Sequence, residues 1–237
     1  MFKRQHHQRI AKVLASLDGE LLLSNHCYFG GGTAITLCYG EFRESVDMDF
    51  LVSDLTSYRH LRQLLTGPDG VNAICLLGAA PLLQQKEVRA DQYGLRVTLN
   101  VDNHPVKFEI ILEGRIRLAA PGKEDQLCGI TTLSPLDMAA SILLANADRW
   151  ADASVFSRDV IDLAMMAPSA TLLKNAIEKA QMAYGDSIVR DLNKSIDNLK
   201  SRTDWLDRCM LAMEIDTPKA LIWKNLQRLS LSYSAQK

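Results

Sequence analysis

The sequence predicts an α/β (α+β) protein: an N-terminal mixed sheet with flanking helices, followed by an all-helical C-terminal half. Strand and helix patterns are interspersed up to about residue 130, whereas only helix patterns follow from about Ser134. The chain has 237 residues, of which 47% are hydrophobic and 23% charged, enough for one large domain or two small ones. We therefore predict two domains, covering residues 1–130 and 131–237.

The spacing of apolar residues predicts three helices in the first part of the chain. A long helix is predicted over Gln8–Leu23, where apolar side chains recur at helical spacing. After the glycines at 30–32, a short helix is predicted over Thr33–Tyr39, because Gly40 ends it. A third helix is predicted over Leu55–Thr66, before a Gly-Pro-Asp-Gly turn.

Strands are predicted where polar and apolar residues alternate. The segment DMDFLV, which begins at Asp47, has this pattern, and Asp102-Asn103 predicts a hairpin turn between two later strands. The other predicted strands lie around Ala73–Leu77, Gln85–Ala90, Gly94–Val101 and Pro105–Leu112.

The second part begins with a well-marked helix start. Ser134 is suited to the N-cap, Pro135 to the first helical position, and Asp137 to the first turn. Further helices are predicted over Ser157–Met166, Pro168–Tyr184, Asp186–Ser201, Asp204–Met213 and Pro218–Leu229.

Composition excludes several classes of function. A net charge of −1 gives no general attraction to nucleic acid, so RNA binding would need a local basic groove. The five cysteines form no C-x-x-C pair or Cys/His cluster, which argues against structural zinc and a disulfide framework. The N-terminus lacks the apolar core of a signal peptide, and no stretch approaches the roughly 18 apolar residues of a membrane span. We expect a soluble cytoplasmic protein without a membrane partner.

Two carboxylates and a glycine turn suggest a metal and a phosphate. Strand alternation places Asp47 and Asp49 on one face, where they repel each other unless a cation lies between them. Oxygen ligands suit Mg²⁺, which commonly binds one or two carboxylates together with substrate phosphates. The turn Gly31-Gly32-Thr33 precedes a helix, so its backbone amides can face the same phosphates.

Glu109 is the candidate third acid. It lies in the middle of the strand segment VKFEIIL, between apolar neighbours. If that strand lies beside the strand of Asp47 and Asp49, the three acids form a metal-binding triad. Two metals could then activate an attacking hydroxyl and stabilise a leaving pyrophosphate.

Each element alone has an ordinary structural explanation. A D-x-D pair is usually a solvated strand edge, and a Gly-Gly turn is usually only a turn. The combination, with a helix between its parts, is far more specific. It is not a P-loop, because no G-K-[ST] follows the glycines.

The segment GGTAITLCYGEFRESVDMDF resembles the signature of the AbiEii/AbiGii-type nucleotidyltransferases, a branch of the polymerase-β-like superfamily. Their pattern is Gly-Gly-Thr-Ala, an apolar helix, and Arg-x-Ser-x-Asp-x-Asp. It is matched at Gly31, Gly32, Thr33, Ala34, Arg43, Ser45, Asp47 and Asp49. A second block resembles the family at Ala145, Arg149, Arg158, Asp159, Asp162 and Leu163, so the resemblance covers roughly residues 28–166.

The resemblance implies the toxin of a bacterial toxin–antitoxin or phage-defence pair. Such enzymes use Mg²⁺ and an NTP to transfer NMP to an acceptor, which in some relatives is the 3′ end of tRNA. The implied partners are an NTP, an RNA such as tRNA, and a cognate antitoxin. The second domain would complete the cleft for the nucleotide and the acceptor.

The resemblance also implies roles for individual residues. Asp47 and Asp49 would hold the metals, and Glu109 would be the third ligand or the base that accepts the proton of the acceptor hydroxyl. The implied nucleotide-binding residues are Gly31, Gly32, Thr33, Arg43, Ser45, Ser141, Arg158, Asp159 and Asp162.

Structural alternatives remain for several of these residues. Arg43 could instead tie its loop to Asp54 or Glu44. Arg158 and Asp162 are four residues apart on a helix, a spacing that often braces a surface.

One position departs from the family pattern. Where relatives carry a lysine expected to neutralise the triphosphate, this chain has Ser141, which cannot supply a charge. Either another cation such as Arg149 or Arg158 substitutes, or activity is weakened. Ser141 thus leaves a binding module without turnover as one alternative. A second alternative is transfer to a small molecule or a protein, because the residues do not identify the acceptor. The histidines are not predicted to take part, and His6-His7 is predicted to be a solvated terminus.

Overall fold

The structure is a computed structural model that describes residues 2–234, with side chains described through residue 230. The chain folds as two compact units. The first comprises the residues up to Cys38 together with Ser45–Ser134, and the second comprises Tyr39–Glu44 together with the residues from Pro135 onward.

The predicted fold class is confirmed. The first unit contains a mixed sheet with flanking helices, and the second is helical throughout its described part. The helices are α1 (Gln5–Ser16), α2 (Gly19–Ser24), α3 (Gly31–Cys38), α4 (Leu55–Leu65), α5 (Pro135–Arg149), α6 (Arg158–Met166), α7 (Ala170–Tyr184), α8 (Ser187–Ser201), α9 (Trp205–Ala212) and α10 (Lys219–Ser234). The strands are β1 (Tyr28–Gly30), β2 (Asp47–Val52), β3 (Leu83–Gln84), β4 (Arg89–Ala90), β5 (Gly94–Val101), β6 (His104–Leu112), β7 (Gln126–Leu127) and β8 (Ile130–Thr131).

The main sheet has six strands within residues 2–234. Its order is β1-β2-β6-β5-β3, and β4 also pairs with β5. The pair β2–β6 is parallel, and the other pairs of this sheet are antiparallel. The hairpin between β5 and β6 turns at Asp102 and Asn103, as predicted, with both residues at positive φ.

The core of this unit lies on one face of the central strands. Phe29, Phe50 and Phe108 come from β1, β2 and β6, are fully buried, and form two successive ring contacts of 5.3 and 5.2 Å. Because side chains alternate along a strand, burying Met48 and Phe50 directs Asp47 and Asp49 to the opposite face. The aromatic core thus fixes the direction in which the two carboxylates point.

Three predicted elements differ from the structure. The first predicted helix is two helices, because Leu17 is extended and Asp18 caps α2 by accepting a hydrogen bond from the Leu21 amide. The strand predicted at Ala73–Leu77 is a 3₁₀ turn over Gly70–Ile74. The strand predicted at Gln85–Ala90 shrinks to the two residues of β4. Short apolar runs are compatible with both helix and strand, so tertiary packing determines which structure these segments adopt.

In the second unit α5 is the central helix, packed against α6, α7 and α8. It begins at Pro135, as predicted, and buries Ile142, Leu143 and Leu144. The predicted helices of this half are all present, with ends shifted by a few residues. Among the described residues, no helix is both long and apolar enough to cross a membrane.

Candidate functional site

The parallel pairing of β2 and β6 brings the predicted acids onto adjacent strands. Asp49 lies directly beside Glu109, and Asp47 lies beside Lys107. Paired residues of neighbouring strands project to the same face and are about 5 Å apart. The strand arrangement on which the predicted triad depended is therefore present.

Two cations lie among these acids. The Lys107 Nζ is 3.5 Å from the Asp47 Oδ1, and the Arg96 Nε is 3.4 Å from the Glu109 Oε2. Sequence reasoning missed both side chains, although a signal was available. A two-residue turn at Asp102-Asn103 fixes the register of the hairpin, and that register places Arg96 opposite Glu109.

The donor set fits a hard divalent cation in part. The Asp47 Oδ1 is enclosed but has no hydrogen-bond partner, and the Lys107 ammonium approaches it only at ion-pair distance. Among the described side chains, no group of three or more Asp, Glu, His or Cys residues is placed to hold a metal ion, and this includes the predicted triad of Asp47, Asp49 and Glu109. Mg²⁺ does not require such a cage, since one or two carboxylates plus phosphates and water suffice.

Gly31 is fitted tightly against one of the acids. It begins α3 with φ of +67°, and an added Cβ would lie 2.5 Å from the Asp49 Oδ2 and 2.9 Å from the Asp49 Cβ. Both the backbone conformation and the space therefore require glycine. Through this contact the amide end of α3 lies next to the carboxylate of Asp49.

Thr33 and Ser45 contact each other and the backbone of β2. The Thr33 Oγ1 donates to the Asp47 carbonyl and lies 2.8 Å from the Ser45 Oγ. A carbonyl oxygen only accepts, so the single hydroxyl proton of Thr33 is used there and Ser45 donates to Thr33. Both side chains were predicted to bind the nucleotide; in the structure they connect α3 to the start of β2.

His7 is a residue that sequence reasoning missed. The prediction that His6-His7 is a solvated terminus is wrong for His7, which is fully buried. The His7 Nε2 accepts a hydrogen bond of 3.1 Å from the Ser45 amide. His6 is half-buried, with its Nε2 3.0 Å from the Val46 carbonyl. The apolar residues of α1 repeat toward the core, and His7 lies three residues before Ile10 on that face, which was the available signal.

Arg43 and Asp162 form a buried ion pair inside the second unit. The Arg43 Nε and Nη2 donate to the two Asp162 carboxylate oxygens at 2.7 and 2.6 Å, and the Nη1 donates to the Glu44 carbonyl. The two side chains are 5% and 1% exposed. Burial lowers the pKa of Arg43, but attraction to Asp162 outweighs it, so the pKa lies above its usual value. Burial raises the pKa of Asp162, and Arg43 opposes that effect.

This geometry corrects the expectation for both residues. Arg43 ties its segment to Asp162 rather than to Asp54, and neither charged group is exposed to a ligand. We therefore assign this pair to bracing the second unit, where removing either partner alone would leave an uncompensated buried charge.

Among the charged residues of the second sequence block, Arg149 and Asp159 form an ion pair, whereas Arg158 does not. The Arg149 Nε and Nη2 donate to the two carboxylate oxygens of Asp159, both at 2.7 Å, and Asp159 is buried. Arg158 is half-buried and has no ion-pair partner within 4 Å among the described residues. Of the two arginines considered as substitutes for the missing lysine, Arg149 is therefore already paired.

Ser141 lies on α5 and its Oγ is enclosed without a hydrogen-bond partner. One turn earlier on the same helix, the fully buried Asp137 accepts from the Lys179 ammonium of α7. Residues four apart lie on the same side of a helix, so Lys179 brings a positive charge to the side of α5 that carries Ser141. Lys179 lies on α7, outside the sequence block that carries the family's lysine.

Comparison with protein families decides the relationship. Residues 12–226 match the model of the nucleotidyl transferase AbiEii toxin of type IV toxin–antitoxin systems. The chain belongs to this family. The resemblance inferred from the glycine turn and the two aspartates is thus confirmed, and it extends over most of the chain. The activity of the AbiEii family is nucleotidyl transfer in a toxin–antitoxin system. Membership of such a system implies an antitoxin as partner.

Solved structures give more distant matches. A candidate nucleotidyltransferase from H. pylori is 14% identical, with a TM-score of 0.48, covering 100% of this chain and 99% of that chain. JHP933 from Helicobacter pylori is 18% identical, with a TM-score of 0.45 and 99% of each chain covered. The Megavirus polyadenylate synthase is 12% identical, with a TM-score of 0.30, covering 86% of this chain and 37% of that chain. Comparison with curated proteins gives no significant match.

Proposed function

We propose that this AbiEii-family protein transfers NMP from an NTP to RNA, with Mg²⁺ as cofactor and the 3′ end of tRNA as the acceptor. The observation that carries the proposal is the placement of Asp49 directly beside Glu109, on the strand that also bears Asp47. A core has no need for three acids on one sheet face, and hard oxygen donors suit phosphate chemistry with Mg²⁺.

The residues of the first unit divide the work as follows. Asp47 and Asp49 hold the cation, and the enclosed Asp47 Oδ1 supplies an oxygen with no competing hydrogen bond. Glu109 completes the donor set or accepts the proton of the acceptor hydroxyl. The amides at Gly31 and Gly32 hold phosphate oxygens at the start of α3. Bound Mg²⁺ would neutralise phosphate charge and favour deprotonation of the attacking hydroxyl.

Lys107 adds a cation to this set. Its side chain is 66% exposed and its Nζ lies 3.5 Å from the Asp47 Oδ1, so it can pair with a phosphate of an NTP bound at this acid. The predicted part played by residues 131–237 in binding the nucleotide stays a prediction.

The test uses each of the four α-³²P-labelled NTPs with Mg²⁺ and total bacterial RNA. We expect label on RNA of tRNA length, and we expect Asp47→Asn and Asp49→Asn to abolish it without changing the unfolding midpoint. Asp102→Asn is the matched control, because this exposed acid lies in the turn of the same sheet and forms an ion pair with the exposed Lys12.

The location of the label separates the alternatives. Label on a protein or on a small molecule would support NMP transfer but show that the acceptor is not RNA. If no NTP gives a labelled product, the proposed catalysis is wrong. The protein would then be a binding module, with Ser141 as the reason for its lack of activity. Transfer at the parental rate by both aspartate variants would overturn the assignment of the site.

A further inference from the structure

The segment that leads into β2 has no sheet or helix of its own. Residues 43–46 lie before the first ladder pair of β2 at Asp47, so strand pairing does not hold this stretch. The Glu44 amide donates to the Met213 carbonyl, and the Glu44 carbonyl accepts from the Arg43 guanidinium, whereas the next two residues are held by other side chains. The side chains that do so at Ser45 and Val46 are the adjacent histidines of α1.

The two histidines hold the segment in opposite ways. The Ser45 amide can only donate, so the His7 Nε2 that receives it carries no proton and the ring proton lies on Nδ1. The Val46 carbonyl can only accept, so the His6 Nε2 must carry a proton. The fully buried member of the pair is His7, which is a neutral acceptor in this arrangement.

The hydrogen bonds continue from His7 to the strand that carries the acids. The Ser45 amide donates to His7, the Ser45 hydroxyl donates to Thr33, and the Thr33 hydroxyl donates to the Asp47 carbonyl. Ser45 is the donor at both of its contacts, through its amide to His7 and through its hydroxyl to Thr33. A buried side chain at the start of α1 is thereby connected to the backbone of Asp47, forty residues later.

We propose that His7 is a positioning residue: its unprotonated Nε2 fixes the Ser45 backbone and, through Thr33, the placement of Asp47. The proposal rests on the proposed function, since its consequence for turnover concerns NMP transfer. An apolar side chain of the same size would fill the space but leave the Ser45 amide without this acceptor. The expected loss is in the rate of transfer rather than in the binding of the base or ribose.

Two substitutions at one position separate hydrogen bonding from packing. His7→Gln can place its Oε1 near the position of Nε2, whereas His7→Phe keeps the ring and loses the acceptor. We expect His7→Phe to lower kcat for NMP transfer by about tenfold or more, with a smaller change in KM, and His7→Gln to recover most of the rate. His60→Phe is the matched control, because that exposed histidine bonds to Asn25.

A second measurement does not depend on turnover or on a variant. In ¹⁵N NMR spectra of the parental protein, we expect the His7 ring to show an unprotonated Nε2 and the Ser45 amide to be protected from hydrogen exchange. A protonated Nε2 would overturn the proposal even if transfer occurs. Equal kcat for His7→Phe and the parent would also overturn it.

The two proposals fail in different ways. Absence of label from the parental protein with every NTP would count against nucleotidyl transfer, while the NMR result would still decide the hydrogen bond of His7. If His7→Phe does not fold, the ¹⁵N spectra and the rate of His7→Gln decide the matter. A His7→Gln variant that folds but transfers no faster than background would count against rescue by an acceptor.

Discussion

The contact between Gly31 and Asp49 allows a prediction with a worked magnitude. In Gly31→Ala, the new methyl would lie 2.5 Å from the Asp49 Oδ2, whereas ordinary contact begins at about 3.4 Å, so the carboxylate must move by about 0.9 Å. The positive φ adds strain of about 1–2 kcal/mol for alanine. A misplacement of about 1 Å near the reacting groups can cost about 100-fold in rate, so we expect a loss of that order.

The chain offers a control that has the strain without the contact. Gly78 has φ of +84° with nothing within 4 Å of an added Cβ, and it lies in an exposed stretch. Gly78→Ala should lose stability in urea denaturation comparable to the strain part of Gly31→Ala, and should keep the parental rate of NMP transfer. The reasoning is refuted if Gly31→Ala transfers NMP as fast as Gly78→Ala.

Three further predictions concern the second unit and one helix cap. Arg43→Ala should lower the free energy of unfolding in urea by about 3–5 kcal/mol. Lys219→Ala, which breaks an exposed ion pair with Asp207, should cost much less, and equal effects would contradict the bracing role. Ser141→Lys should lower KM for the NTP by about tenfold, and an unchanged KM in the folded variant would show that the position does not face the nucleotide. The Ser57 amide donates to Asp54 and lowers the pKa of this carboxyl group below the 3.8 of an unperturbed aspartate. The cap therefore stabilises α4 above that pH and is lost as pH falls through the lower folded pKa. The stability difference between the parent and Asp54→Asn should therefore be constant above the pKa of an unperturbed aspartate and shrink as pH falls below it, as checked by thermal unfolding.

The direction of Asp47 and Asp49 and the hairpin of β5 and β6 were predictable because their signals are local, whereas the pairing of β2 with β6 was only assumed. Alternation at Asp47–Phe50 and the Asp102-Asn103 turn specify faces and register, and the glycine turn follows from backbone sterics. Once two strands and a turn are recognised, the direction of each side chain follows. The same register places Arg96 beside Glu109, and the pairing of β2 with β6 places Lys107 beside Asp47.

Contacts distant in sequence were not predictable in this way. Arg43 and Asp162 are 119 residues apart, and His7 and Ser45 are 38 apart, so no spacing rule joins them. Arg43 was expected at a phosphate because of the family resemblance, whereas in the structure it is buried with a bidentate partner, Asp162. The break at Leu17–Asp18 has a similar origin, since Leu17 pairs with Cys75 and Asp18 caps α2.

The membership of Tyr39–Glu44 in the helical unit bears on how such chains can be recombined. A fragment cut at Pro135 would keep Asp162 but lose Arg43, and its buried carboxylate would lack a counter-charge. The cost of about 3–5 kcal/mol is a large share of the 5–15 kcal/mol that hold a typical domain together. The helical unit is therefore not a cassette that a single crossover can transfer, and any exchange between relatives must carry the six-residue segment with it.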